Sequence, residues 1–152
     1  MSKTERVLVC GCALLLCAQA PALAQNAGAM PTYGAITLAA GFDPDPQIVN
    51  VNAGGGSIGA PCDGLIHNAP DVRLAYTGAN ASLIVSVASS ADTTLLLQAP
   101  DGAWYCDDDS GEQGGNPSLL FERAESGTYT IWVGGGASVA PAELTFSQTV
   151  SR

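Results

Sequence analysis

The chain has 152 residues, 14 of them acidic and 5 basic, for a formal charge of −9. That length holds one domain with a core of ordinary size. Its few cations are too scattered to form the clustered Lys and Arg surface that a phosphate backbone requires, so nucleic acid is excluded as an expected partner, and the acidic excess favours solubility and attraction to cations.

At the amino terminus, Lys3 and Arg6 precede an apolar run from Val7 to Ala18, and Ala20, Pro21, Ala22, Leu23 and Ala24 precede Gln25. A positive n-region, an h-region of about a dozen residues and an Ala-x-Ala site define residues 1–24 as a secretory signal peptide. The run is shorter than the roughly 20 residues that cross a bilayer and no second such run follows, so no membrane span is expected after cleavage. A lipoprotein signal is the rival, because Cys10, Cys12 and Cys17 lie here; Cys17, however, follows Leu14, Leu15 and Leu16 rather than small residues. Cleavage removes Lys3, Glu5 and Arg6, leaving 13 acidic and 3 basic residues and a formal charge of −10. It also leaves Cys62 and Cys106, an even pair in an oxidising compartment, which are expected to form a disulfide. Zinc is a poor alternative: a closed site wants four ligands and His67 is the one histidine.

Residues 25–32 are expected as a flexible lead and 33–152 as a single domain. From there the hydrophobic period is two. Leu83, Val85 and Val87 alternate with Ser82, Ile84 and Ser86, and Leu95 and Leu97 with Thr94, Leu96 and Gln98. Tyr129, Ile131 and Val133 alternate with Thr128, Thr130 and Trp132 in the same way. Such alternation predicts strands with one face on a core. Turn residues punctuate them, among them Asp43-Pro44-Asp45-Pro46, Pro100-Asp101-Gly102 and Gly134-Gly135-Gly136. Eight or nine short strands are predicted, near 33–39, 47–52, 72–76, 82–88, 93–99, 103–106, 118–122, 128–133 and 142–149. The clearest hairpin is 93–99 with 103–106. Many short strands without helical crossovers define an all-β fold, a jelly-roll-like antiparallel β-sandwich.

The most unusual stretch is Cys106-Asp107-Asp108-Asp109-Ser110-Gly111-Glu112, which runs on to Asn116. Consecutive carboxylates repel one another, and Ca²⁺, which takes six to eight oxygens, would relieve them. Asp107, Asp108, Asp109 and Asn116 are therefore candidate metal ligands, with Asp92, which opens the strand before the hairpin, as another. An EF-hand is excluded by the acidic spacing and the missing helices. The plain alternative is a solvated acidic turn in which an Asp bonds its own backbone. Asp109-Ser110-Gly111 echoes the setting of a nucleophilic serine, but the sole possible base, His67, stands in Asp63-Gly64-Leu65-Ile66-His67-Asn68, with none of the surroundings of a catalytic histidine. Trp104 and Trp132 are candidate ligand-contact rings, with core packing as the competing role, and alternation puts Trp104 and Tyr105 on opposite faces.

Asp92 to Gly102, then Asp107-Asp108-Asp109-Ser110-Gly111, then Ser126-Gly127-Thr128-Tyr129-Thr130-Ile131-Trp132-Val133-Gly134 resemble the bacterial pre-peptidase C-terminal domain over about residues 82 to 135. The resemblance implies a jelly-roll-like sandwich and an accessory role beside secreted proteases; the signal peptide sets the expected location as the periplasm or outside the cell. It also implies calcium, which some collagen-binding relatives hold in acidic loops. In that family the domain ordinarily trails a catalytic one, whereas here only a signal peptide is expected ahead of it. The functional expectation is an exported, non-catalytic module that binds an extracellular protein or polymer. The alternatives are a small secreted serine hydrolase using Ser110 and His67, and a structural or assembly subunit of the envelope.

Overall fold

A computed structural model describes residues 25–78, 80–112 and 114–151; the expected signal peptide lies outside the described residues. Eleven strands follow in order: β1 Ala35–Ala39, β2 Gln47–Ala53, β3 Ile58–Gly59, β4 Leu65–Ile66, β5 Val72–Thr77, β6 Leu83–Ser89, β7 Thr93–Gln98, β8 Trp104–Asp107, β9 Ser118–Phe121, β10 Gly127–Gly135 and β11 Ala140–Ser147. All nine predicted strands are present, and there is no helix among the described residues. The two unpredicted strands, β3 and β4, are two residues each and lie in a Gly-rich stretch too short to show a period.

The strands form two sheets. The smaller has four strands in the order β2-β11-β6-β9, and the larger has seven, with β1-β5-β10-β4-β3 on one path and β7 joining β10 to β8. The expected hairpin is there: Leu97 faces Tyr105 and Gln98 faces Trp104, and the Ala99 amide donates to Ala103 O at 2.9 Å. Every pairing is antiparallel except one, because β1 runs parallel to β5, with Ala35 opposite Arg73 and Ala39 opposite Thr77.

Between the sheets, alternation delivers Leu74, Tyr76, Leu95, Leu97, Tyr129, Ile131 and Val133 from one side and Leu83, Val85, Val87, Leu144 and Phe146 from the other, all within one core. Each such side chain contributes roughly 1.5–3 kcal/mol through burial. The larger sheet is not wet on its outer face. Leu96 and Trp132, the alternate positions of β7 and β10, join Ile66 in a second buried cluster against which Ala27, Ile58, Ala60, Trp104 and Cys106 pack. The excursion through β3 and β4 therefore lies over that face as a strap, and the expected disulfide between Cys62 and Cys106, with 5.6 Å between the Cα atoms, fastens it to β8.

Residues 25–32, read as a flexible lead, are also tied down. The Asn26 amide donates to Asn68 O and the Thr32 amide to Pro70 O, and the Arg73 guanidinium donates to Ala27 O and Ala29 O. Such backbone anchoring leaves no side-chain period for a sequence reading to find.

The disulfide closes a span of 44 residues. Replacing Cys62 and Cys106 with Ser should lower stability by about 3 kcal/mol in a urea titration while the strand signal in far-ultraviolet circular dichroism persists. An unchanged midpoint would show that the strap holds without its covalent fastening.

Candidate interaction surface at the acidic loop end

Strand directions gather the connections 54–64, 90–92, 108–117 and 136–139 at one end of the sandwich. That end carries Asp63, Asp92, Asp107, Asp108, Asp109 and Glu112, and no Lys or Arg among the described residues. The cations among those residues lie elsewhere: Arg73 is on β5, and Arg123 follows β9 at the opposite end.

The candidate ligands divide into two groups. Asp107 is occupied by its own loop: its Oδ2 accepts from the Ser110 amide at 3.1 Å and the Ser118 amide at 2.8 Å, and its Oδ1 accepts from Ser110 Oγ at 2.6 Å. This carboxylate closes the turn after β8 and caps β9 of the opposite sheet. Asn116 is buried, accepting from Thr93 Oγ1 at 2.8 Å and donating to Ser89 O at 3.0 Å, so it pins the loop to the start of β7 and the end of β6. Asp108 and Asp109 follow on the turn, with Asp109 exposed. The turn is thus held by the local side-chain bonding that was the plain alternative to a metal. Among the described residues, no three His, Cys, Asp or Glu side chains gather closely enough to hold a metal ion.

Asp92 stands instead beside a residue not singled out from sequence. With Asp63, Gly64, Thr94, Gly135 and Gly136 it lines a cleft of about 200 Å³ at the mouth of the larger sheet. Asp63 is fixed by the disulfide next to it and by two bonds: its Oδ1 accepts from the Gly64 amide at 2.7 Å, and its carbonyl accepts from Thr94 Oγ1 at 2.8 Å. Gly64 has φ +75°, and a Cβ there would fall 2.6 Å from Thr94 Oγ1, so both the turn and the close approach require glycine. The sequence signal for this position was Cys62-Asp63-Gly64, an Asp-Gly turn beside a disulfide.

Of the two aromatic candidates, Trp132 is corrected and Trp104 is half-buried. Trp132 is fully buried, its indole Nε1 lying 3.4 Å from Asn68 O, and it offers no surface to a ligand. Trp104 packs on it with ring centroids 5.4 Å apart, so both serve the strap's cluster. Burial on two faces overrode the expectation that one face of β10 was free. The exposed ring is Tyr105, at 39 %, which meets Phe121 edge-on at 5.0 Å.

Ser110 and His67 have different partners. The Ser110 hydroxyl is engaged by Asp107, whereas His67 lies by the edge of β10 and interacts with Asp71. On that edge of β10, pairing with β5 ends at Ile131 opposite Val72 and resumes with β4 at Gly135 opposite Leu65. The Val133 amide falls in the gap, and Asp71 Oδ2 accepts from it at 2.7 Å, standing in for the missing strand carbonyl. Burial pushes the Asp71 carboxyl up to about 6, against the opposing pull of that amide and of His67.

No protein-family model and no curated protein matches the chain. Among the solved structures that do match is PliG of Aeromonas hydrophila, a periplasmic lysozyme inhibitor of g-type lysozyme. It is 17% identical over 74% of this chain and 96% of that one, with a TM-score of 0.43. So distant a likeness assigns no role to this chain.

The folded Asp71 keeps a proton that the unfolded chain has already released between the ordinary 3.8 and about 6. Its contribution to stability is therefore complete below about pH 4 and is lost as the pH rises through about 6, a fall of roughly 3 kcal/mol. Asp71→Asn, which still offers Val133 an acceptor, should remove that slope, gaining stability relative to the parent between about pH 4 and 7 in denaturant titrations. Parallel pH profiles would contradict this reading of Asp71.

Proposed function

We propose that the protein is an exported, non-catalytic binding module that takes an extracellular protein or polymer at its acidic loop end. The observation that carries the proposal is the segregation of charge: Asp63, Asp92, Asp107, Asp108, Asp109 and Glu112 share one end of the sandwich with no Lys or Arg among the described residues there. Aligned charge of one sign speeds and orients the approach of a cationic partner. The Asp63 and Asp92 cleft is the concave part of this end, of a size for an ammonium or guanidinium group. The disulfide and the expected signal peptide both support export. An accessory role beside secreted proteases belongs to the proposal through the motif resemblance alone.

Calcium belongs to the same proposal, with the ligand set shifted. Asp107 and Asn116 already serve protein donors and Asp63 accepts from the Gly64 amide, so a cation at this end would be met by a pair of carboxylates, Asp63 with Asp92 at the cleft or Asp108 with Asp109 on the turn, with backbone carbonyls and water completing its shell.

The test uses a variant in which Asp63, Asp92, Asp108 and Asp109 are all changed to Asn. With polylysine as the probe, its affinity should fall by about tenfold or more, and the parent's binding should weaken steeply with salt. Equal, salt-insensitive binding by both proteins would overturn the loop end as the binding surface. Thermal melts in calcium and in chelator separate the metal from the partner: a melting point raised by calcium in the parent alone supports calcium at this end, and superimposable curves remove it.

A further inference from the structure

The parallel strand β1 leaves one edge of the larger sheet open, and its hydrogen bonds say which groups face outward. The Arg73 amide donates to Gly34 O at 3.1 Å and the Ala40 amide to Thr77 O at 2.8 Å, so the even-numbered residues of β1 address β5. By the two-residue period of the strand, the amides and carbonyls of Ala35, Thr37 and Ala39 point away from the sheet. No described residue bonds them, and these three residues are exposed.

Edge strands of this kind are ordinarily guarded by Lys, Pro, a bulge or a covering segment. Ala35-Ile36-Thr37-Leu38-Ala39 contains neither charge nor proline. Two of the other edges, those of β2 and β8, are attended to. On β2 the Asn52 amide donates to the Tyr33 hydroxyl at 2.9 Å, and β8 ends in Asp107 and is followed by Asp108 and Asp109. Beside β1 runs an open groove of about 380 Å³, with Ile36, Leu38 and Phe42 among its lining and Asp43 at its end.

We propose that the free edge of β1 receives an extended, cationic segment of a partner protein, which adds to the larger sheet as a further strand. Backbone bonds to Ala35, Thr37 and Ala39 supply affinity, and the groove at Ile36, Leu38 and Phe42 takes an apolar side chain of the segment. Charge selects this occupant over a second copy of the chain. After removal of residues 1–24 each copy carries −10, and two copies would meet edge to edge with Asp43 of each at the groove, whereas a cationic segment is attracted to the same place. This surface lies apart from the acidic loop end, and its proposal stands or falls separately.

The probes are capped peptides of equal length in which Val alternates with Lys, with Thr or with Glu. The Lys probe should bind saturably, about tenfold or more tighter than the Glu probe, and slow amide exchange at Ala35, Thr37 and Ala39. Thr37→Pro deletes an outward amide without touching a bond to β5, and should weaken the Lys probe about tenfold with an unchanged melting point. Should that variant fold poorly, the same Lys probe with its backbone amides N-methylated provides the equivalent test on the parent protein, and must leave amide exchange at Ala35, Thr37 and Ala39 unchanged. The variant neutralised at the loop end should bind the Lys probe at β1 as the parent does. Absence of saturable binding by the Lys probe, no protection at Ala35, Thr37 and Ala39, or equal protection there by the N-methylated probe would overturn the proposal. So would a concentration-dependent dimer abolished by Thr37→Pro, which would give the edge to a second copy.

Discussion

Leu96 and Trp132 sit on the face of the larger sheet that a plain two-layer sandwich would leave to water, and both are fully buried. Keeping water from them requires the strap through β3 and β4 to lie across β7, β8 and β10, and much else in the structure follows from this constraint. The disulfide fastens the strap to β8. The lead at residues 26–29 closes its flank through Ala27 and the carbonyls that bond Arg73. Where the strap returns to the sheet it leaves a gap in the ladder of β10, which Asp71 fills with a carboxylate. The same strap carries Asp63 to the loop end, opposite Asp92.

The acidic end is thus a product of covalent and packing constraints and not of one loop. Asp107 and Asn116 hold the loop after β8 to both sheets, and by doing so present Asp109 and Glu112 outward, with Asp108 half-buried. A frame locked at its base by a disulfide, a buried amide and a capping carboxylate loses little conformational entropy when a partner arrives, which is the condition for binding on a preorganised surface. The aromatic rings, by contrast, serve stability: Trp104 and Trp132 seal the strap, while Tyr76, Phe121 and Tyr129 meet edge-on between the sheets.

The strands were legible because alternating Leu, Val, Ile and Tyr against Ser and Thr admit one period, and all nine expected segments form. Two-sided burial was legible in part: Leu95-Leu96-Leu97 is a continuous apolar run, the mark of a strand covered on both faces, and it pairs with a strand bearing Trp132. The parallel pairing of β1 was not legible, since it joins segments separated by more than thirty residues and leaves no local trace. Nor was the strap, whose strands of two residues depend on tertiary contact and not on pattern. At the candidate site the sequence marked the acidic turn and Asp92 but could not show that Asp107 and Asn116 are occupied or that Asp63 folds in beside Asp92. Those facts depend on contacts between loops distant in the chain.

The central claim is that the strap keeps the outer face of the larger sheet dry, and the hydrogen exchange of the Trp132 indole N–H tests it most directly. With the disulfide intact, that proton should exchange only through global unfolding, and reduction should open a faster route while the inter-sheet core stays protected. Exchange at the rate of a free indole in the oxidised protein would contradict the account.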